Sequence, residues 1–144
     1  MPNTPSLVGE GVLLFENKNS LTGNEKSEII DLFSCLGLVE EIPSELMGIG
    51  GAISGCGPAF MDMIMESYAD AAVKYGIPRT LAYKLIAQTM LGSAKLELQS
   101  GSHPGALKDA VCSPGGTTIR GVAALEKAGL RGACIDCIDA IMNK

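Results

Sequence analysis

Tryptophan is absent from this chain, histidine occurs once, and aromatic residues make up 4% of its 144 residues. A core built on large flat rings is therefore excluded, and Ala, Leu, Ile, Val and Met must fill the interior. Side chains of that size suit closely packed helices. A basic patch is also missing: 11 Lys and Arg stand against 16 Asp and Glu, for a net charge of -5. That balance argues against a nucleic-acid partner. No apolar run approaches the roughly 18 residues of a membrane span, and no signal peptide with a cleavage site opens the sequence. The cysteines at 35, 56, 112, 134 and 137 are odd in number and lack a framework spacing. Reduced thiols in a cytoplasmic protein are the expectation. Cys134 and Cys137 have the spacing of a redox or metal motif, but they fall mid-helix, no second such pair exists, and His103 is the single histidine. Two buried small residues one helical turn apart is the plainer reading, with no metal site.

What is present is apolar surface. Hydrophobic residues make up 47% of the chain and charged residues 19%, a balance that supports a substantial core. "GVLLFEN" (11–17) reads as a short strand. "LTGNEKSEIIDLFSCLG" (21–37) carries a capping box, with Thr22 as N-cap and Glu25 three positions later. Ile29, Ile30, Leu32, Phe33 and Leu36 keep helical spacing, and Gly37 supplies the stop. "LVEEI" (38–42) reads as a second strand, so strand, helix and strand form one βαβ unit with parallel neighbours. One such unit cannot cover both faces of its sheet, and it reads as the end of something larger.

From Leu46 onward no further strand is expected. "GIGGAISGCGP" (48–58) is Gly-rich with several apolar residues, and its pattern assigns no element. Helices are expected over 59–76, 78–101, Pro104 to about Cys112, about Gly115 to Ala128, and Arg131–Asn143. The helix over 59–76 shows one polar stripe (Asp62, Glu66, Asp70, Lys74) and is otherwise apolar, so protein must surround it. These helices carry more apolar surface than a small monomer can hide, which points to partner helices from a second copy.

Between two of these helices stands "SPGGTT" (113–118). Free N–H groups at a helix start, backed by the helix dipole, make a site for an anion. Glycines let a ligand approach the backbone and allow the positive φ of an anion-binding nest. Threonine hydroxyls add donors and acceptors. No Lys follows the glycines, so this is not a phosphate loop, and a small carboxylate fits it better than a triphosphate. The structural alternative is a plain helix entry in which Ser113 or Thr117 caps ordinary N–H groups.

"LKDAVCSPGGTTIRGVAALEKAGLR" (107–131) resembles the signature region of pyrroline-5-carboxylate reductases. "MPNTPSLVGEGV" (1–12), "SGCGPAF" (54–60), "KYGIPRTLAYKLIAQTMLGSAKL" and "HPGALKD" match that family too, in its order. The resemblance covers nearly the whole chain. One departure stands out: the family begins with a Rossmann half carrying a glycine fingerprint after its first strand, and nothing here supplies it. Met1 corresponds to an internal position of the longer family members. The implied architecture is mainly α: an all-helical dimerisation and substrate-binding domain over 46–144, preceded by a βαβ remnant of a Rossmann-like nucleotide-binding domain over 1–45.

The resemblance implies an oxidoreductase of proline biosynthesis, reducing the C=N bond of 1-pyrroline-5-carboxylate with NAD(P)H to give L-proline. The substrate carboxylate would be held by Ser113, Gly115, Gly116, Thr117 and Thr118, with Thr118 the catalytic residue near the ring nitrogen. An iminium accepts hydride better than a neutral imine, so a donor there has a clear task. Asn3, Thr4, Pro5, Gly57 and Pro58 would lie near the nicotinamide of the cofactor, whose main binding half is missing from these residues. A homodimer through the helical domain is implied, with assembly beyond the dimer left open, and this chain alone is expected to be inactive. Two rivals remain open: a related Rossmann-plus-helical dehydrogenase for another small acid or imine, and a non-enzymatic carboxylate-binding helical dimer. Other residues take plainer readings. His103 is an N-cap or turn residue; Asp62, Glu66 and Asp70 form a solvated or interface stripe; Met61, Met63 and Met65 belong to core or dimer surface.

Overall fold

The computed structural model describes residues 1–143. By internal contacts they form two compact units, Met1–Asp62 with the chain from Ile138, and Met63–Cys137. The fold is mainly helical, with two strands at its start.

In the first unit, β1 (Gly11–Glu16) and β2 (Gly37–Ile42) pair in parallel, in register from Gly11 with Gly37 to Glu16 with Ile42. The crossover is α1 (Gly23–Phe33), so the expected βαβ unit is present. The capping box is formed in full. Thr22 Oγ1 accepts from the Glu25 N–H at 3.3 Å, and the Glu25 carboxylate accepts from the Thr22 N–H at 2.7 Å. That backbone N–H, with the Thr22 hydroxyl second, holds the Glu25 carboxyl below its ordinary value. Lys26 and Glu41, 2.7 Å apart, tie α1 to β2. The helix ends earlier than its apolar spacing suggests, passing into a 3-10 turn over Ser34–Leu36. Gly37 serves the strand pairing instead: its φ is +132°, and a Cβ there would sit 2.1 Å from the Gly11 carbonyl oxygen.

The Gly-rich stretch that carried no assignment contains a helix, α2 (Met47–Ser54). Interior glycines each cost about 1 kcal/mol relative to alanine, so packing has to offset them. A Cβ on Gly50 would lie 2.8 Å from both Leu14 Cδ1 and Ile42 Cδ1, which shows how closely the helix backbone approaches the sheet. Leu14 is buried beneath it. Tertiary fit overrides propensity here.

α3 (Gly57–Lys74) runs on into the second unit and stops before Gly76, whose φ is +94°. There follow α4 (Arg79–Ser100), α5 (Pro104–Ala110), α6 (Thr117–Lys127) and α7 (Leu130–Met142). Gly101 ends α4 at φ +62°, the left-handed geometry that closes many helices. His103 caps α5, its Nδ1 accepting the Gly105 N–H at 3.0 Å, as the sequence suggested. Beyond Leu46 no strand occurs among the described residues.

Within Met63–Cys137 the fully buried residues are two alanines, Ala69 and Ala82. Large apolar side chains stay in the open: Met63 is 66% exposed, Leu91 51% and Leu98 76%. No pair of helices in this unit shares extended close contact. The expectation that the apolar helix over 59–76 is surrounded by protein is not met within the chain, and Met61 and Met63 are not core residues of it. Cys134 is exposed and Cys137 half-buried, which corrects the reading of both as buried. They lie on α7, where Ile135 is exposed while Ile138 and Ile141 are half-buried.

Glycine at 37 answers both a backbone clash and a positive φ, whereas Gly129 has φ +78° in open space. Gly37→Ala should lower stability by roughly 2–4 kcal/mol, and Gly129→Ala by about 1–2 kcal/mol. Urea unfolding of the two variants checks the order; equal losses would contradict the strand-pairing role of Gly37.

Candidate active site

The segment 113–118 is a tight turn feeding α6. The Gly116 N–H donates to the Ser113 carbonyl at 3.0 Å, with Pro114 and Gly115 at the two central positions. Gly115 has φ +69°. Proline followed by a positive-φ glycine is the signature of a type II turn. Gly116 is the N-cap of α6, with φ -69° and ψ 177°, and no side chain caps the helix. The expected alternative, capping by Ser113 or Thr117, is therefore not what forms. A Cβ on Gly116 would lie 2.3 Å from Ser113 Oγ, so that hydroxyl occupies the space beside the bare N-cap.

The first N–H groups of any α-helix lack intrahelical acceptors, and here no side chain among the described residues replaces them. The first turn also holds no acidic residue to meet the helix dipole. Thr117 and Thr118 are exposed at the same place. The turn therefore brings together Ser113, Gly115, Gly116, Thr117 and Thr118 around an uncapped, partly positive helix start. Such a start can take an anionic oxygen, and flanking hydroxyls can orient the group that carries it.

The other expected set lies in the first unit. Asn3 precedes a 3-10 turn over Thr4–Val8, which Gly9 closes at φ +76°. Its side chain works as a clamp: Nδ2 donates to the Ser54 carbonyl at 2.9 Å, and Oδ1 accepts the Val12 N–H at 2.9 Å. β1 and the end of α2 are thereby joined through one amide, a role the sequence did not reveal. Gly57 and Pro58 open α3 three residues after Ser54, and a Cβ on Gly57 would meet nothing within 4 Å. Thr4 is exposed and Pro5 half-buried.

Sequence reasoning also missed a groove of about 280 Å³ lined by Lys108, Val122, Leu125, Glu126, Leu130 and Arg131. Its cations are engaged: Lys108 bonds Asp109, and Arg131 Nε lies 2.7 Å from Glu126. Hydrogen bonding to those carboxylates raises both groups above their ordinary values. With charges neutralised in pairs, the groove offers apolar walls and no free charge. No described helix is long and apolar enough to cross a membrane, and the described residues hold no cluster of three or more potential metal ligands.

A family model described as pyrroline-5-carboxylate reductase dimerisation matches residues 44–144. The chain belongs to the pyrroline-5-carboxylate reductase family. It is 44% identical to the Escherichia coli pyrroline-5-carboxylate reductase over 144 residues, covering 100% of this chain and 54% of that protein. A solved pyrroline-5-carboxylate reductase from Coxiella burnetii superposes with a TM-score of 0.93 at 34% identity, covering 99% of this chain and 53% of the other. The Plasmodium falciparum pyrroline carboxylate reductase, solved with NADP bound, gives a TM-score of 0.87 at 38% identity, covering 98% and 58%. The chain thus spans about half the length of the curated relatives it matches. Within this chain, the two sets of expected site residues lie in different compact units.

The geometry of the turn yields a direct test. Gly116→Val places branched carbons on Ser113 Oγ and should break the turn and block the approach to the α6 N–H groups. In the native chain the amide resonances of Thr117, Thr118 and Ile119 should shift saturably on titration with sulfate. In Gly116→Val they should not; equal saturation in both would show that the bare N-cap is not needed for anion binding.

Proposed function

We propose that this chain forms the helical, carboxylate-holding part of an NAD(P)H-dependent reductase that converts 1-pyrroline-5-carboxylate to L-proline, the last step of proline synthesis. The observation that carries this reading is the turn at 113–116, which leaves the α6 N–H groups without a side-chain cap. Ser113, Gly115, Gly116, Thr117 and Thr118 hold the substrate carboxylate. The helix dipole and the aligned N–H groups favour the ionised form, and the fixed turn orients the ring. Reduction of the C=N bond adds hydride to carbon and a proton to nitrogen. NAD(P)H supplies the hydride when bound. Thr118, the second residue of α6, takes the ring nitrogen that adjoins the carboxylate-bearing carbon. There its hydroxyl hydrogen-bonds the ring and relays the proton, favouring the iminium that accepts hydride more readily.

On this reading residues 1–45 close a nucleotide-binding domain and 46–144 make the helical domain. Asn3, Thr4, Pro5, Gly57 and Pro58 face the nicotinamide end of the cofactor. The open space at Gly57 supports the fit of a flat ring there. After its two structural bonds, the Asn3 amide keeps one N–H and one lone pair for a ligand. The 144 residues contain no G-x-G-x-x-G after a strand, so grip on the pyrophosphate has to come from elsewhere in the enzyme. The free cysteines are in keeping with a reducing, cytoplasmic setting.

The helical domain pairs with a second copy, which covers the apolar faces of α3, α4 and α7, and further association of dimers is open to it. Sedimentation at low micromolar concentration should give a dimer with no monomer; a monodisperse monomer would contradict this assembly.

Activity is the second test. The chain mixed with NADPH and pyrroline-5-carboxylate should give no turnover. Joined behind the nucleotide-binding half of the Escherichia coli relative, it should oxidise NADPH in the presence of the imine. Thr118→Ala in that chimera should lower kcat/KM by an amount worth roughly 1–3 kcal/mol. A folded, dimeric chimera without turnover would sink the assigned reaction, and an unchanged kcat/KM would remove Thr118 from it.

A further inference from the structure

We infer that Arg120 is the charged member of the α6 anion site and sets its affinity for a ligand carboxylate. This rests on the reading of residues 113–118 as the carboxylate-holding loop. The chain has three arginines, and two are spoken for: Arg79 bonds Asp70, and Arg131 bonds Glu126. Arg120 is exposed and makes no hydrogen bond or ion pair with any described residue.

Its place is the fourth residue of α6, in the first turn. On a helix surface the neighbours of a residue on the N-terminal side are those three and four positions back. For Arg120 these are Thr117 and Gly116, the hydroxyl and the bare N-cap of the turn. Cα–Cβ bonds tilt toward the helix N-terminus, so a long side chain at this position covers the turn before it. Gly116 places no side chain in the way.

The electrostatics run against a structural role. A cation in the first turn opposes the helix dipole, which favours acids there. No acidic residue occurs between Asp109 and Glu126, and those two are paired with Lys108 and Arg131. A guanidinium thus adds to an already positive helix start with no described residue paired to neutralise it. Its favourable partner has to come from outside the helix. A planar carboxylate fits, because one oxygen can take the α6 N–H groups while the guanidinium fork meets the other. A dinucleotide phosphate carries the same charge, and the test separates the two sources.

The probe is L-proline, titrated into the 15N-labelled chain while the amides of residues 115–119 are followed, with pyrrolidine as the control lacking a carboxylate. Arg120→Gln should weaken the L-proline dissociation constant about tenfold, the effect of one unit charge at close range in a partly screened site. Arg120→Lys should recover part of the loss. The native affinity should fall as salt rises, and that of Arg120→Gln much less. The melting temperature of Arg120→Gln should be unchanged or higher; a clear fall would mark a structural role and overturn the inference. Native-strength L-proline binding by Arg120→Gln would overturn it while leaving the loop reading intact. No saturable shift in the native chain would take down both. A parallel titration with pyrophosphate decides the source: weakening there alone would assign the guanidinium to phosphate and overturn the carboxylate preference.

Discussion

A helix can remove its apolar face from water only by laying it against another surface, and the long helices of this chain find none within their own unit. Ala69 and Ala82 are the buried side chains of Met63–Cys137, while leucines and methionines along α3 and α4 remain open. Fully burying one such side chain stabilises by about 1.5–3 kcal/mol. A handful of them left exposed equals the whole net stability of a typical domain, about 5–15 kcal/mol. The helical unit therefore depends on surface supplied from outside it, and the match to a dimerisation family is the sequence record of that dependence. Buried alanines fit the same logic, since a methyl group is what remains where helices must approach closely.

The first unit solves its packing in the opposite way, by removing side chains from its own contacts. Gly11 and Gly37 bring two strand starts together, and Gly50 lets α2 descend onto Leu14 and Ile42. Asn3 then fastens the assembly by bonding β1 with its oxygen and α2 with its nitrogen. Glycine sets the distance and asparagine the alignment. Each choice is costly in isolation, because glycines weaken both helices and strands. Together they leave little space for a substituent at any of the three glycines.

The sequence showed most clearly those parts that local physics determines. The capping box of Thr22 and Glu25, the alternation of strand and helix, the cap at His103 and the glycine ends at 76 and 101 are all short-range features, and they stand in the structure. α2 was invisible because its propensity is poor and its reason for being helical lies in Leu14 and Ile42, strand residues that precede it in the chain. The clamp at Asn3 was invisible for the same cause: its partners are nine and 51 positions off. The cysteine pair on α7 misled in a different way. Its helical position was legible, but spacing along one helix does not show which of its faces is covered. At the candidate site the spacing showed a turn and a helix start, while the choice between a capped and a bare start needed coordinates.

That choice is where stability and function part. Replacing a glycine N-cap with Ser, Thr or Asp commonly adds only about a few tenths of a kcal/mol to a helix, and Ser113 and Thr117 stand near the position without capping it. Gly116 could have been any of the good caps, yet a side chain there would fall on Ser113 Oγ. The turn is thus arranged so that its hydroxyl sits beside the helix start and its N–H groups stay free. Arg120 adds a second departure of the same sign, a cation where the dipole favours an acid. A helix start without a side-chain cap and a cation in its first turn, both toward positive potential and both uncompensated among the described residues, agree in what would relieve them. An anion would satisfy the N–H groups and the guanidinium together, and the stability forgone in the free helix is recovered in the bound one.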